Sequence, residues 1–269
     1  MKRIVIRRRL RLGSRFAEVR SKIETDRKYA GLRKLCTFNP EENELVYRSE
    51  EIHPNRSEHP KRIPVMFLFS NPHPDSVALG LFLSEPHSRT FWQRLSEIDK
   101  SHLQFPPGAV NLERWHESIP KLGEIMLKGD YESPFLLYFH CLYPIPTSKP
   151  EDLRGLFRSA PQIWKEIEIS ANQELAKLTK DEEIKHIVVF SAGVFRIITK
   201  TKVKGWRDKA VADEFLKSPD KESYWGVDSN GTHVYLSLHT RAKNWKDEKG
   251  KYYFARFLDL IFTRIRESI

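Results

Sequence analysis

Four short apolar runs, each followed by sequence of helical character, constrain this chain more than any other feature. They are PVMFLFS (64–70), PFLLYFH (134–140), HIVVFSA (186–192) and HVYLSLH (233–239). Each has strand length and is apolar throughout rather than alternating, which is the pattern of strands buried on both faces of a parallel sheet. Helical candidates lie around 88–100, 111–127, 152–179, 194–217 and 252–267, the last with a core-facing stripe at Tyr253, Phe257, Leu260, Ile261 and Ile265. Strands alternating with helices predict an α/β fold, a three-layer α/β/α domain around a central four-stranded parallel sheet. A hydrophobic fraction of 39% with 12% aromatics is enough to fill such a core.

The charge is concentrated at one end. Residues 1–36 hold 13 Lys and Arg against 3 Asp and Glu, whereas the whole chain holds 46 against 36. The first segment therefore carries the entire excess of ten positive charges, and the remainder is balanced. Such a block is the electrostatic footprint of a surface that meets a polyanion, and nucleic acid is the expected partner. Within it, Phe16, Val19, Ile23, Leu32 and Leu35 are spaced as the apolar stripe of a helix. Residues 1–40 are accordingly read as a basic, helical arm whose Arg7, Arg8 and Arg9 contact phosphates, and residues 41–269 as the α/β domain. The polar, Pro-bearing stretch 37–63 reads as a connector.

Other features narrow the class. No apolar run reaches the roughly 18 residues of a membrane span, and the Arg-rich start lacks the apolar segment of a secretory signal. Only Cys36 and Cys141 are present, so neither a disulfide framework nor a four-cysteine metal site is expected, and a cytoplasmic monomer is anticipated. His73, His87 and His233 have no known zinc spacing, so no metal is expected, and no cofactor motif occurs.

In an open parallel sheet the ligand site lies beyond the carboxyl ends of the strands. The residues there are Asn71-Pro72-His73-Pro74, His140-Cys141, Ser191 and His239-Thr240-Arg241. No phosphate-binding glycine loop and no Gly-x-Ser-x-Gly elbow is found. A neutral site rich in hydrogen-bonding groups suits a polar planar ligand such as a nucleobase.

The segment SNPHPDSVALGLFLSEPHSRTFW (70–92) resembles the first motif of the single-strand-selective and mismatch-specific uracil-DNA glycosylases, a Gly-x-Asn-Pro-Gly-Pro turn followed by a stacking aromatic and a Phe-Trp helix. FHCLYPIPTSKPEDL (139–153) is similar to the His-Asn-Leu-Cys-Pro segment of the single-strand-selective family, and LSLHTRAKNWKDEKG (236–250) to its His-Pro-Ser-Pro-Arg motif and wedge loop. The resemblance spans about residues 62–266 and implies the uracil-DNA glycosylase fold and hydrolysis of an N-glycosidic bond in DNA. It implies that Asn71 positions the attacking water and that His239 hydrogen-bonds the base oxygen on which charge develops. Phe82, or else Leu83, matches the stacking aromatic. Arg241, Lys243 and Trp245 fall in the loop that enters the duplex. Water rather than a lysine is the implied nucleophile, with Lys243 the nearest candidate for lyase chemistry.

The departures concern base reading. Phe69 and His73 replace two glycines of the first motif, and Cys141, beside His140, replaces the asparagine that pairs with uracil. A thiol cannot make the two-point contact of an amide, so the expected substrate is a modified pyrimidine rather than plain uracil, in repair or in defence against modified phage DNA. Each residue also has a structural reading: Asn71 starts a turn, His140 and Cys141 sit in the interior, and Trp92 and Trp115 fill the core. Trp245 is expected to be exposed on DNA. Two other classes stay open: a catalytically silent nucleic-acid binder of the same fold, and a small-molecule N-glycosidic hydrolase.

Overall fold

The computed structural model describes residues 4–203, 212, 213, 216, 225–228, 230–238, 245–248 and 250–269. Its centre is a mostly parallel sheet of β4 (Ile63–Phe69), β5 (Phe135–Cys141), β6 (His186–Val189), β7 (Trp225–Val227) and β8 (His233–Leu236), in the order β5-β4-β6-β8-β7. β5, β4, β6 and β8 are parallel and coincide with the four apolar runs. β7 adds a fifth, antiparallel edge strand, so the sheet has five strands rather than the four expected. Its three residues are half-buried to exposed, and no apolar run announces a strand of that kind.

Period-two alternation divides the faces of this sheet. Phe67 and Phe69 of β4, Phe135 and Phe139 of β5, and Phe190 beyond β6 point to one side. They meet Phe91 and Trp92 of α4 (Thr90–Leu95) and Phe254 and Phe262 of the C-terminal helix α9 (Tyr253–Glu267), the Phe135 and Phe262 centroids 4.5 Å apart. On the other side the Tyr138 hydroxyl donates to Glu182, at 2.8 Å, where α7 (Pro161–Asp181) ends. Trp92 and Trp115 are buried, as read from the sequence. The helical candidate 152–179 is two helices, α6 (Pro150–Leu156) and α7, because Pro161 starts a new first turn. No helix among the described residues is long and apolar enough to cross a membrane.

The basic N-terminal segment departs from its helical reading. Val5–Arg11 is a strand, β1, paired antiparallel with β3 (Glu44–Glu50), which also pairs with β2 (Cys36–Asn39). The boundary drawn at residue 40 thus runs between strands of one sheet, and the connector 37–63 supplies two of its three strands. In VIRRRLR the side chains alternate across the sheet, Arg7, Arg9 and Arg11 outward and Arg8 and Leu10 inward. The apolar stripe does form α1 (Phe16–Thr25), which buries Val19 and Ile23. Lys22 Nζ donates to the carbonyl oxygen of Gly155 at 2.7 Å and the Tyr29 hydroxyl to that of Asp152 at 3.1 Å, so the segment is bound to α6. Gly31, in α2 (Ala30–Arg33), permits a close approach to α3 (Pro74–Leu79): a Cβ there would meet Pro74 Cβ at 2.7 Å.

Candidate active site

The chain leaves β4, forms β5 on one side of it, and returns to form β6 on the other. Such a reversal opens a crevice beyond the carboxyl end of the first strand, the usual ligand position in open α/β sheets. The turn after β4 carries Asn71 and His73. The exit segment of β5 runs beside that turn and clamps it: Leu142 N donates to Phe69 O and Tyr143 N to Ser70 O, both at 2.8 Å, and Thr147 N to Pro72 O at 3.1 Å.

The orientation of Asn71 follows from this clamp. Its Nδ2 donates to the carbonyl oxygen of Thr147 at 2.8 Å, to Thr147 Oγ1 at 3.0 Å and to Pro72 O at 3.3 Å. Both amide hydrogens are spent on the protein, and Oδ1 accepts no hydrogen bond among the described residues. Thr147 is itself buried, and its hydroxyl donates to Lys149 O at 2.9 Å. Asn71 is therefore a half-buried amide, locked by its donor end, with its acceptor end available.

His73 shares the turn and caps α3, its Nδ1 accepting from Asp75 N at 3.3 Å. Three further candidates lie elsewhere. Phe82 is only 1% exposed and its ring packs 5.7 Å from Phe69 and 5.8 Å from Phe139, within the aromatic core rather than as a surface for stacking. Trp92 Nε1 holds the Phe82 carbonyl at 2.6 Å, and Leu83 takes the left-handed conformation (φ 51°) that turns the chain back outward. His140 lies on the face of β5 opposite Phe139, because side chains alternate along the strand. Burial, and then the charge of His53, pushes its pKa down to about 4, so its ring is neutral. Cys141 shares the Phe139 face but is buried, and desolvation, followed by the field of Glu50, holds its thiol well above the usual range. A thiol so buried is a packing group rather than a reactive one. His239, Arg241 and Lys243 lie outside the described residues. Trp245 is half-buried against the core rather than exposed, and its carbonyl accepts from Tyr253 N at 2.9 Å.

The three arginines named for DNA divide. Arg7 and Arg9 are exposed on the outer face of β1, with Arg11, and Arg48 stands opposite Arg7 on β3. Among the described residues Glu44 offsets this stripe, 3.8 Å from Arg9 and 3.5 Å from Arg11. Arg8 instead points inward, a correction to its reading as a phosphate contact. Its Nη1 donates to Glu174 at 2.7 Å and its Nη2 to Glu51 at 3.0 Å, with a further short bond to Glu174. Burial works against its charge, but the hydrogen bond and field of Glu174 outweigh that and raise its pKa.

Two groups of buried and half-buried ionisable residues escape a sequence reading. Glu50 and Glu85 are 3% and 5% exposed, and desolvation plus the charge of Glu85 raises the Glu50 pKa well above the ordinary carboxylate range. Glu85 accepts from Ser76 Oγ at 2.7 Å. The second group, Glu51, His53 and His140, lies on the opposite face of β5 and offers metal-ligand atoms within 4.8 Å of one another. No spacing marks either group, since each depends on how β3 meets β5 and the loop after α3.

A cleft of about 1040 Å³ opens at the amino ends of the strands, between Arg56–Pro64, the end of α7 and Asn230–Thr232. Its Arg62 is already engaged with the carbonyls of Gly129 and Tyr131, at 2.7 and 2.8 Å. Size alone does not make it the site: the locked amide sits at the other end of the sheet, where the topology opens its crevice. Compared with known proteins, the chain matches no family model, and no curated protein matches it significantly.

Proposed function

We propose that the protein is a DNA glycosylase that hydrolyses the N-glycosidic bond of a flipped, damaged or modified base, with a three-layer architecture of the uracil-DNA glycosylase kind. The observation that carries this reading is Asn71: it sits at the switch point of the sheet, its amide nitrogen committed to Thr147 and its carbonyl oxygen available. An acceptor held in this way orients a water for attack on the sugar carbon. As water adds there, the base leaves with the bonding electron pair, and the proton that the water gives up is balanced by the one that neutralises the departing base. His239, in this proposal, donates to the base oxygen that takes up the charge. One preorganised donor of that kind lowers the barrier by roughly 3–4 kcal/mol.

The exposed stripe of Arg7, Arg9, Arg11 and Arg48 supports a nucleic-acid partner, engaged through phosphates rather than bases. The substrate is proposed to be a modified pyrimidine, since Cys141 replaces an amide and is buried. The inward placement of Phe82, His140 and Cys141 favours a second reading, a binder of the same architecture that cuts nothing.

An excision panel separates the two. Oligonucleotides bearing uracil, hydroxymethyluracil, hypoxanthine or modified cytosines are incubated with the protein in single- and double-stranded form. Alkali-labile abasic sites on at least one of them, with no strand break before alkali, are expected. Intact strands throughout, together with salt-dependent binding, would select the silent binder.

A further inference from the structure

The outer edge of β5 carries a second site. Ile52, just beyond β3, and Phe139 exchange both backbone hydrogen bonds at 2.9 Å, forming a single antiparallel bridge. That register sets Glu51 opposite His140 and His53 opposite Tyr138, all on the face that α7 covers. The His53 and His140 ring centroids lie 5.4 Å apart, and His53 Nδ1 is 3.5 Å from Glu51 Oε1.

We infer that Glu51, His53 and His140 form a binding site for one divalent transition-metal ion of the zinc class, with its fourth position open to solvent. The donor set is two imidazoles and one carboxylate, whose ligating atoms lie within 4.8 Å of one another. Tetrahedral zinc with bonds of roughly 2.0–2.1 Å sets ligands about 3.4 Å apart, a contraction within reach of side-chain torsions. Calcium and magnesium prefer oxygen ligands and fit two imidazoles poorly.

Three independent observations point to a ligand. First, His140 is 3% exposed and its Nδ1 is buried without a hydrogen-bond partner, an arrangement that is costly unless something else binds it. Second, Glu51 is oriented as metal carboxylates commonly are: Arg8 holds Oε2 at 3.0 Å, which leaves Oε1 toward His53. Third, two carboxylates, Glu51 and Glu174, share Arg8 as their guanidinium partner among the described residues, so the cluster holds one carboxylate more than it has guanidinium groups to match. The Glu51 and His53 side chains are 20% and 18% exposed, which gives an ion a path in. Such an ion would clip the antiparallel sheet to the edge of the parallel one, and the inference is independent of the excision chemistry.

The full-length protein is treated with EDTA, dialysed, and titrated calorimetrically with Zn²⁺ alone. One ion per chain at sub-micromolar Kd is expected, with a rise in Tm on saturation. His53→Ala, at a half-buried position, should weaken binding by at least about a hundredfold. Its melt without zinc shows whether the fold is kept. Glu51→Gln should weaken binding less than His53→Ala, because an amide oxygen still ligates. The exposed His116→Ala should change nothing. No binding at micromolar zinc, or an unaltered Kd in a folded His53→Ala, would overturn the site.

Discussion

Asn71 and Arg8 both direct their nitrogens to oxygens far away in the chain, and to opposite ends. Asn71 is bound by Thr147, 76 positions on, and Arg8 by residues 43 and 166 positions away. At the Asn71 turn the partners are neutral, the donors are used up, and the acceptor Oδ1 is left without a hydrogen bond among the described residues. At the Arg8 cluster charge meets charge, and what results is a junction between β1 and α7. The contrast teaches how to tell a group that serves a substrate from one that serves the fold. The first keeps an unspent valence in a fixed direction, whereas the second has its charge matched inside the protein.

Four measurements test that contrast. The largest effect belongs to Asn71→Ala, which should lower excision by about a hundredfold or more. Its Tm should stay within a few degrees of wild type, because the side chain is half-exposed. Full activity in this variant removes Asn71 from the chemistry, and a large loss of Tm moves it to the same class as Arg8.

Arg8→Ala should cost about 2–3 kcal/mol in urea melts, below the value for full burial because its partners are 20% and 33% exposed. Arg9→Ala, one residue on and facing out, should change stability by no more than about 0.5 kcal/mol. Equal effects at the two positions would break the division of β1 into an inner and an outer face.

Thr147→Val keeps the volume but removes the hydroxyl that accepts from Asn71 and donates to Lys149. Excision should fall about tenfold, roughly 1.4 kcal/mol, through kcat rather than KM. A change confined to KM would mean that the clamp binds DNA instead of orienting the amide.

The smallest effect per residue concerns the outer stripe. Replacing Arg7, Arg9 and Arg11 by Gln should weaken DNA binding irrespective of sequence and lower the slope of log affinity against log salt, by up to about 0.9 for each phosphate no longer neutralised. Single-turnover excision at saturating protein should be unchanged. An unaltered slope would take nucleic acid away from this face.

The parallel strands are legible because each is apolar from end to end, and helix α9 because its stripe repeats at helical spacing. Asn71 can be placed at a strand tip for the same reason. β1 is not legible because VIRRRLR alternates arginine with arginine: Arg7 and Arg8 look alike in the sequence and differ only in what lies above them. Alternation along β5 already contains the fact that His140 and Phe139 face opposite ways, but nothing in it says which face looks on the crevice. Phe82 escapes a sequence reading because a left-handed residue at Leu83, with no glycine to mark it, decides where the loop after α3 turns.

By itself the sequence determined the α/β alternation, the four parallel strands, the burial of Trp92 and Trp115, the stripe of α1 and the turn that presents Asn71. Each is local: hydrophobicity belongs to the residue, and its period along the chain names the element. Tertiary structure alone decided that β1 and β3 form a second sheet, that Arg8 turns inward, that Glu50 meets Glu85, and that Glu51 and His53 meet His140. Those are relations between pairs. Pairing a charge or completing a donor set depends on which segments the sheet order and strand register bring within a few ångströms, and no single segment carries that information.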